Sequence, residues 1–226
     1  MTKIFKDKIK FCIILLIWTF YTINILKYPL EYQHDTWLHH FELARIMLLN
    51  FTEFNSEYGI FYYMYVAAFG VFTYPLYLLD MIGLQEGLYL TIKLSNILLV
   101  LITILLIIKF SEKLTYHKKD IIRFIPVLIF FSLAPTERVF MMCRPETIMI
   151  PLALISVFYF RELLLEKNLK VKHVIIFIVC TTFLGLQKST GFLFVLFLFT
   201  YALFFFKDLK KFPKYSLIIS TSIFLY

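Results

Sequence analysis

Apolar runs separated by short charged clusters set the rhythm of this chain. They cover residues 11–26, 60–79, 88–108, 121–133, 147–165, 174–186, 192–206 and 215–226. Several reach the ~20 residues that an α-helix needs to cross a bilayer. None shows the strict period-two alternation of a half-buried strand. Only helices and closed barrels leave no backbone group unsatisfied in lipid, so the runs predict helices. The expected fold is all-α, a polytopic bundle of transmembrane helices.

The charges change the count of crossings. With the N-terminus inside, eight crossings would export the segment that carries Lys109, Lys113, Lys118, Lys119 and Arg123, against the positive-inside rule. The run 60–79 is the one to remove. It is rich in Tyr and Phe, holds Gly70 and Pro75, and is flanked by Glu57 and Asp80. Such a segment suits the membrane interface. Without it, Lys3 to Lys10, Lys109 to Arg123, Arg161 to Lys172 and Lys207 to Lys214 all fall on the cytoplasmic side. Of the 23 Lys and Arg only Lys27, Arg45, Lys93, Arg138, Arg144 and Lys188 remain. The reading is therefore about seven crossings, the last cut short at Tyr226. Residues 27–87 form an extracytoplasmic loop with interfacial helices. Residues 1–226 make one transmembrane module, truncated at its C-terminus, with a cytoplasmic N-terminus.

Composition agrees and excludes other classes. At 61% hydrophobic residues, too few polar side chains remain to cover a soluble domain of this length. The net charge of +8 lies in loop clusters, so it calls for no nucleic acid. Cys12, Cys143 and Cys180 are too scattered for a disulfide framework or a zinc site. No small-residue cleavage site follows the first apolar run, so that run reads as a retained helix.

The polar residues that stand apart lie in three loops on the outer side. In Gln33–Glu42, Asp35, His39 and Glu42 share one face of an amphipathic helix, at i, i+4 and i+7, opposite Trp37, Phe41, Ala44 and Leu48. Asp35 reads as a helix N-cap, as a general base toward an acceptor hydroxyl, or as a carboxylate that helps hold a divalent metal such as Mg or Mn. His34, His39 and His40 match no zinc spacing; they are read as tuning Asp35 or binding the acceptor. In Arg144-Pro145-Glu146-Thr147, Pro145 suits a first helical position and Glu146 a first turn. Arg144 either frames that helix start or grips a phosphate with its guanidinium fork. Gly185-Leu186-Gln187-Lys188-Ser189-Thr190-Gly191 interrupts an apolar stretch. It is a tight turn punctuated by glycines, or a second phosphate contact through Lys188. Lys93, inside an apolar run, either snorkels outward or faces a cavity. Ionisable groups at a bilayer are costly and are candidates for function by default.

Taken together, Asp35 with His39, the run Tyr58-Gly59-Ile60-Phe61-Tyr62-Tyr63, Arg144-Pro145-Glu146 and Gln187-Lys188-Ser189-Thr190-Gly191 resemble, in order and topology, the N-terminal module of the GT-C superfamily of membrane glycosyltransferases. The likeness is to bacterial members near the protein O-mannosyltransferases and aminoarabinose transferases. It implies a sugar donor on a polyprenyl phosphate and a lipid, glycan or protein acceptor. Transfer would occur on the outer face of a bacterial inner or cell membrane, as part of cell-envelope assembly. Asp35 would be the first-loop acidic residue, acting as base or metal-associated carboxylate, with His39, Arg144, Glu146, Gln187 and Lys188 binding substrate. Many relatives carry two adjacent acidic residues in the first loop; here Asp35 stands between His34 and Thr36. Two other classes fit the same residues: a transporter or flippase of a lipid-linked saccharide, and a non-catalytic membrane assembly subunit.

Overall fold

One helix, α4 (Leu84–Leu114), is the spine against which the first half of the chain packs in the computed structural model. The structure describes residues 3–29, 43, 44, 46, 60–114, 124–165 and 170–205. Among these every regular element is helical. The order is α1 (Lys3–Lys27), α2 (Ile60–Ala68), α3 (Gly70–Leu78), α4, α5 (Ile125–Ser132), α6 (Ala134–Met141), a 3₁₀ turn (Pro145–Ile148), α7 (Met149–Leu165), α8 (Val171–Gln187) and α9 (Ser189–Phe205). Two compact units divide the chain. One comprises Met1–Asn55 and Tyr63–Thr147, the other Ser56–Tyr62 and Ile148–Tyr226.

In the first unit α4 packs against α1, α3 and α5, and α6 against α1 and α5. At 31 residues α4 is about 46 Å long, more than the ~30 Å of a hydrocarbon core. Three of its buried small polar residues return their hydroxyls to the helix itself: Thr91 to the Gly87 carbonyl, Ser95 to Ile92 and Thr103 to Leu99. That removes the penalty of carrying them through an apolar body. Thr91 also meets Thr73 of α3, oxygen to oxygen at 2.5 Å.

Broken helices leave orphan carbonyls at their C-terminal ends, and where the surroundings are apolar side chains must answer them. Neighbours in this unit do so three times. Lys93 Nζ donates to the Leu26 carbonyl at the end of α1, at 2.9 Å. The Tyr21 hydroxyl donates to Phe131 at the end of α5, at 2.6 Å. Asn96 Nδ2 donates to Phe140 at the end of α6, at 2.9 Å, where the carbonyl also accepts the Cys143 N–H. Lys93 is thus a helix cap: a cation beside the negative end of α1. Trp18 Nε1 adds a bond from α1 to the Ile97 carbonyl. Tyr21, Phe131 and Phe140 pack as a ring trio with centroids 4.9–6.2 Å apart.

The second unit is built from α7, α8 and α9, each packed on the other two. Phe160 and Leu163 of α7, Phe177 of α8 and Leu198 of α9 form its core.

Among the described residues two helices are long and apolar enough to cross a membrane, Leu84–Lys113 and Pro145–Leu164; Phe11–Lys27 and Val171–Gln187 are apolar but shorter. Large apolar side chains stand outward on these helices and on α9, among them Leu16 at 71% and Phe197 of α9 at 63% exposed. Outward apolar faces of that extent belong against lipid or another protein. The run 60–79 divides at Phe69 into α2 and α3 of nine residues each, about 13 Å, so neither piece alone crosses. The run 121–133, expected as a crossing, is seen from Phe124 as the eight-residue α5. Leu133, with ψ of 125°, ends it just before Pro135 opens α6. At about 12 Å that helix is also shorter than a hydrocarbon core. Ala44, placed on the apolar face of the first-loop helix, is half-buried, whereas Leu43 and Ile46 are buried, among the three residues described there.

Candidate functional site

Asp35, His39 and Glu42, with His34 and His40, lie outside the described residues, as does Tyr58-Gly59. The other candidates fall at two helix junctions, one in each unit.

The first junction follows α6. Met142 caps the helix, and Cys143 then turns into the left-handed region with φ of 50°. The Cys143 N–H donates to Phe140 and the Arg144 N–H to Val139, the paired bonds of a left-handed helix cap. Glycine usually holds the Cys143 position, because a Cβ there costs roughly 1–2 kcal/mol. The same cap ends α3, with Asp80 at φ of 53°. What holds Cys143 is burial: the residue is 2% exposed, and the Asn96 amide reaches its sulfur. Burial pushes the thiol up to about 12, only partly offset by that hydrogen bond and by the Lys93 cation nearby. The thiol therefore stays protonated and inert.

Arg144 is the residue just beyond this cap and is half-buried. Its carbonyl accepts the Thr147 N–H at 2.9 Å and faces the Thr147 hydroxyl at 2.6 Å. Pro145 opens the 3₁₀ turn and Glu146 lies in its first turn, both where the sequence placed them. Thr147, fully buried, also donates its hydroxyl to Asn96 Oδ1 at 2.8 Å. Asn96 was not among the candidates. Its signal in the sequence is an amide in the middle of an apolar run, Leu94-Ser95-Asn96-Ile97-Leu98.

The second junction joins α8 to α9 through one residue. Lys188 is extended, with φ of −166° and ψ of 152°, and half-buried; its carbonyl accepts the Gly191 N–H at 2.8 Å. Gly191 serves close approach here, not a left-handed turn. A Cβ on it would run into the Leu184 carbonyl oxygen, with Leu184 C at 2.6 Å.

Gln187, the last residue of α8, is fully buried. Its Oε1 accepts the Tyr62 N–H at 3.0 Å. That donor lies in the first turn of α2, where an N–H has no partner within its own helix. Phe61 stacks on Phe183 of α8 with centroids 4.0 Å apart. So Gln187, expected as a substrate ligand, caps a helix through its oxygen. That bond fixes the amide orientation, since the flipped form would set donor against donor. Among the described residues it leaves Nε2 buried with no hydrogen-bond partner, a cost of roughly 1–3 kcal/mol. Gln187→Met is expected to lower stability by about 1 kcal/mol, as lost helix caps do. Thermal unfolding checks this, and a midpoint at or above that of the wild type counts against the cap.

Among the described residues no group of three or more His, Cys, Asp or Glu side chains is arranged to hold a metal. No protein-family model, curated protein or solved structure matches this chain.

Proposed function

We propose that the chain is the N-terminal module of a multi-pass membrane glycosyltransferase that moves a sugar from a polyprenyl phosphate to an acceptor on the extracytoplasmic face. Asp35 takes the proton of the acceptor hydroxyl. The freed oxygen attacks the anomeric carbon, the carbon–oxygen bond to phosphate breaks, and polyprenyl phosphate leaves with both bonding electrons. Direct displacement inverts the anomeric centre. Arg144 and Lys188 are each read as a contact for the phosphate, whose growing charge fixed cations stabilise. A divalent metal at Asp35 would supply further charge stabilisation, and no step above passes through one.

The observation that carries the reading is the buried Nε2 of Gln187, which has no hydrogen-bond partner among the described residues, one residue before Lys188 at the break between two apolar helices. A donor of that kind, with a lysine as the next residue in sequence, suits an oxygen-rich anion. The apolar faces and two membrane-length helices support a lipid-borne substrate. The seven-crossing topology with a cytoplasmic N-terminus belongs to the same proposal and rests on the distribution of basic residues.

The full-length protein, reconstituted with a polyprenyl-phosphate-linked sugar, is expected to release polyprenyl phosphate as the sugar is transferred. Lys188→Met is expected to raise the donor concentration needed for half-maximal rate severalfold. Movement of the intact lipid across the bilayer without release of polyprenyl phosphate would overturn the enzyme in favour of a transporter.

A further inference from the structure

Among the described residues, the Asn96 side chain joins three groups that bracket one residue. Its Nδ2 donates to the carbonyl of Phe140, four residues before Arg144. Its Oδ1 accepts the hydroxyl of Thr147, three residues after Arg144. Its amide also bonds the side chain of Cys143, the immediate neighbour of Arg144. Asn96 itself is fully buried, on the 31-residue helix that packs against α1, α3 and α5. Arg144 has both backbone groups engaged as well, its N–H on Val139 and its carbonyl on Thr147. The turn also holds Cys143 in a left-handed conformation that its side chain disfavours.

A buried amide is expensive in an apolar helix unless it is satisfied, and an apolar residue could pack α4 against α6 without that cost. What an apolar residue cannot do is fix where along and around α4 the turn sits. Directional bonds to residues on both sides of Arg144 do that. We propose that Asn96 is a positioning residue: acting through Thr147 and the Phe140 carbonyl, it holds the Arg144 turn in the one geometry that presents the guanidinium to the phosphate of a prenyl phosphate. This rests on the reading of Arg144 as a phosphate contact. A bidentate guanidinium–phosphate contact depends on the angle as well as the distance, so it is lost when its support loosens.

The test is binding of a long-chain polyprenyl phosphate to the full-length protein in nanodiscs, alongside thermal unfolding of each variant. Arg144→Gln is expected to weaken binding at least about tenfold. Thr147→Val keeps the volume of the side chain and removes the hydroxyl; it is expected to weaken binding about tenfold, as losing a supporting contact does at other preorganised sites. Thr147→Ser restores the hydroxyl and is expected to bind within about twofold of wild type. Asn96→Leu combined with Thr147→Val is expected to lose no more than the worse single variant, because the two act as one unit. A purely structural role would lower the unfolding midpoint in Thr147→Val and leave the affinity of the folded protein unchanged. That outcome, with Arg144→Gln still defective, overturns the positioning role and spares Arg144. Wild-type binding by Arg144→Gln overturns the phosphate reading and the positioning role with it. Thr147→Val decides the matter even if Asn96→Leu does not fold, since it adds no bulk and removes one hydroxyl.

Discussion

Replacing Asp35 by Asn in the full-length protein is expected to abolish sugar transfer, lowering turnover by at least about a thousandfold, within the range that a general base contributes. The protein should still reach the membrane in normal amounts. The substitution is chosen because it separates the two roles open to this residue. As a helix cap, Asn serves about as well as Asp, since both offer a side-chain oxygen to the first-turn N–H groups. As a base it fails, because an amide does not accept a proton near neutral pH. Asp35→Ala removes both roles and should lose about 1 kcal/mol of stability as well, if the residue also caps. Turnover is read as polyprenyl phosphate released per enzyme, and yield by quantifying the purified protein. Wild-type turnover in Asp35→Asn would eliminate Asp35 as the base and leave it a cap.

The second large effect concerns stability. Gly191→Ala is expected to destabilise the second unit by about 3 kcal/mol or more, at the upper end of overpacking costs. The α8–α9 junction turns on the single residue Lys188, which brings the first turn of α9 against the last turn of α8. At Gly191 the two backbones are so close that an added Cβ collides with the Leu184 carbonyl oxygen. Met149 Cε would lie 3.2 Å away as well. The methionine can swing aside, since its side chain is flexible. The carbonyl belongs to the α8 backbone and can move only with the helix. Gly83→Ala is the control: the nearest atom to its Cβ would be Glu86 Oε2, at 3.7 Å. Unfolding midpoints of the purified proteins decide the matter. A midpoint of Gly191→Ala equal to that of Gly83→Ala would refute the close approach.

The helical character of the chain was legible in residue order, as was the membrane length of two of its described helices. It depends on apolar run length and on the absence of alternation, both local properties. The positions of Arg144, Pro145 and Glu146 at a helix start were legible for the same reason: a proline and an acidic residue announce a first turn wherever it lies. The break at Lys188 was marked by its polar neighbours. Asp35 remains a reading of sequence and chemistry alone.

Tertiary structure decided what the side chains do once the helices meet. Lys93 could snorkel or line a cavity, and it caps α1 because the Leu26 carbonyl ends beside it. Gln187 looked like a ligand, and its oxygen belongs to Tyr62, 125 residues away in sequence. Asn96 drew no attention, since one amide in an apolar run says nothing about the Phe140 and Thr147 groups that it joins. Gly191 looked like turn punctuation, and its purpose is the approach of Leu184. Periodicity records which face of a helix avoids water. It carries no record of where another helix happens to stop, and in an apolar medium the stopped ends are where polar side chains are needed.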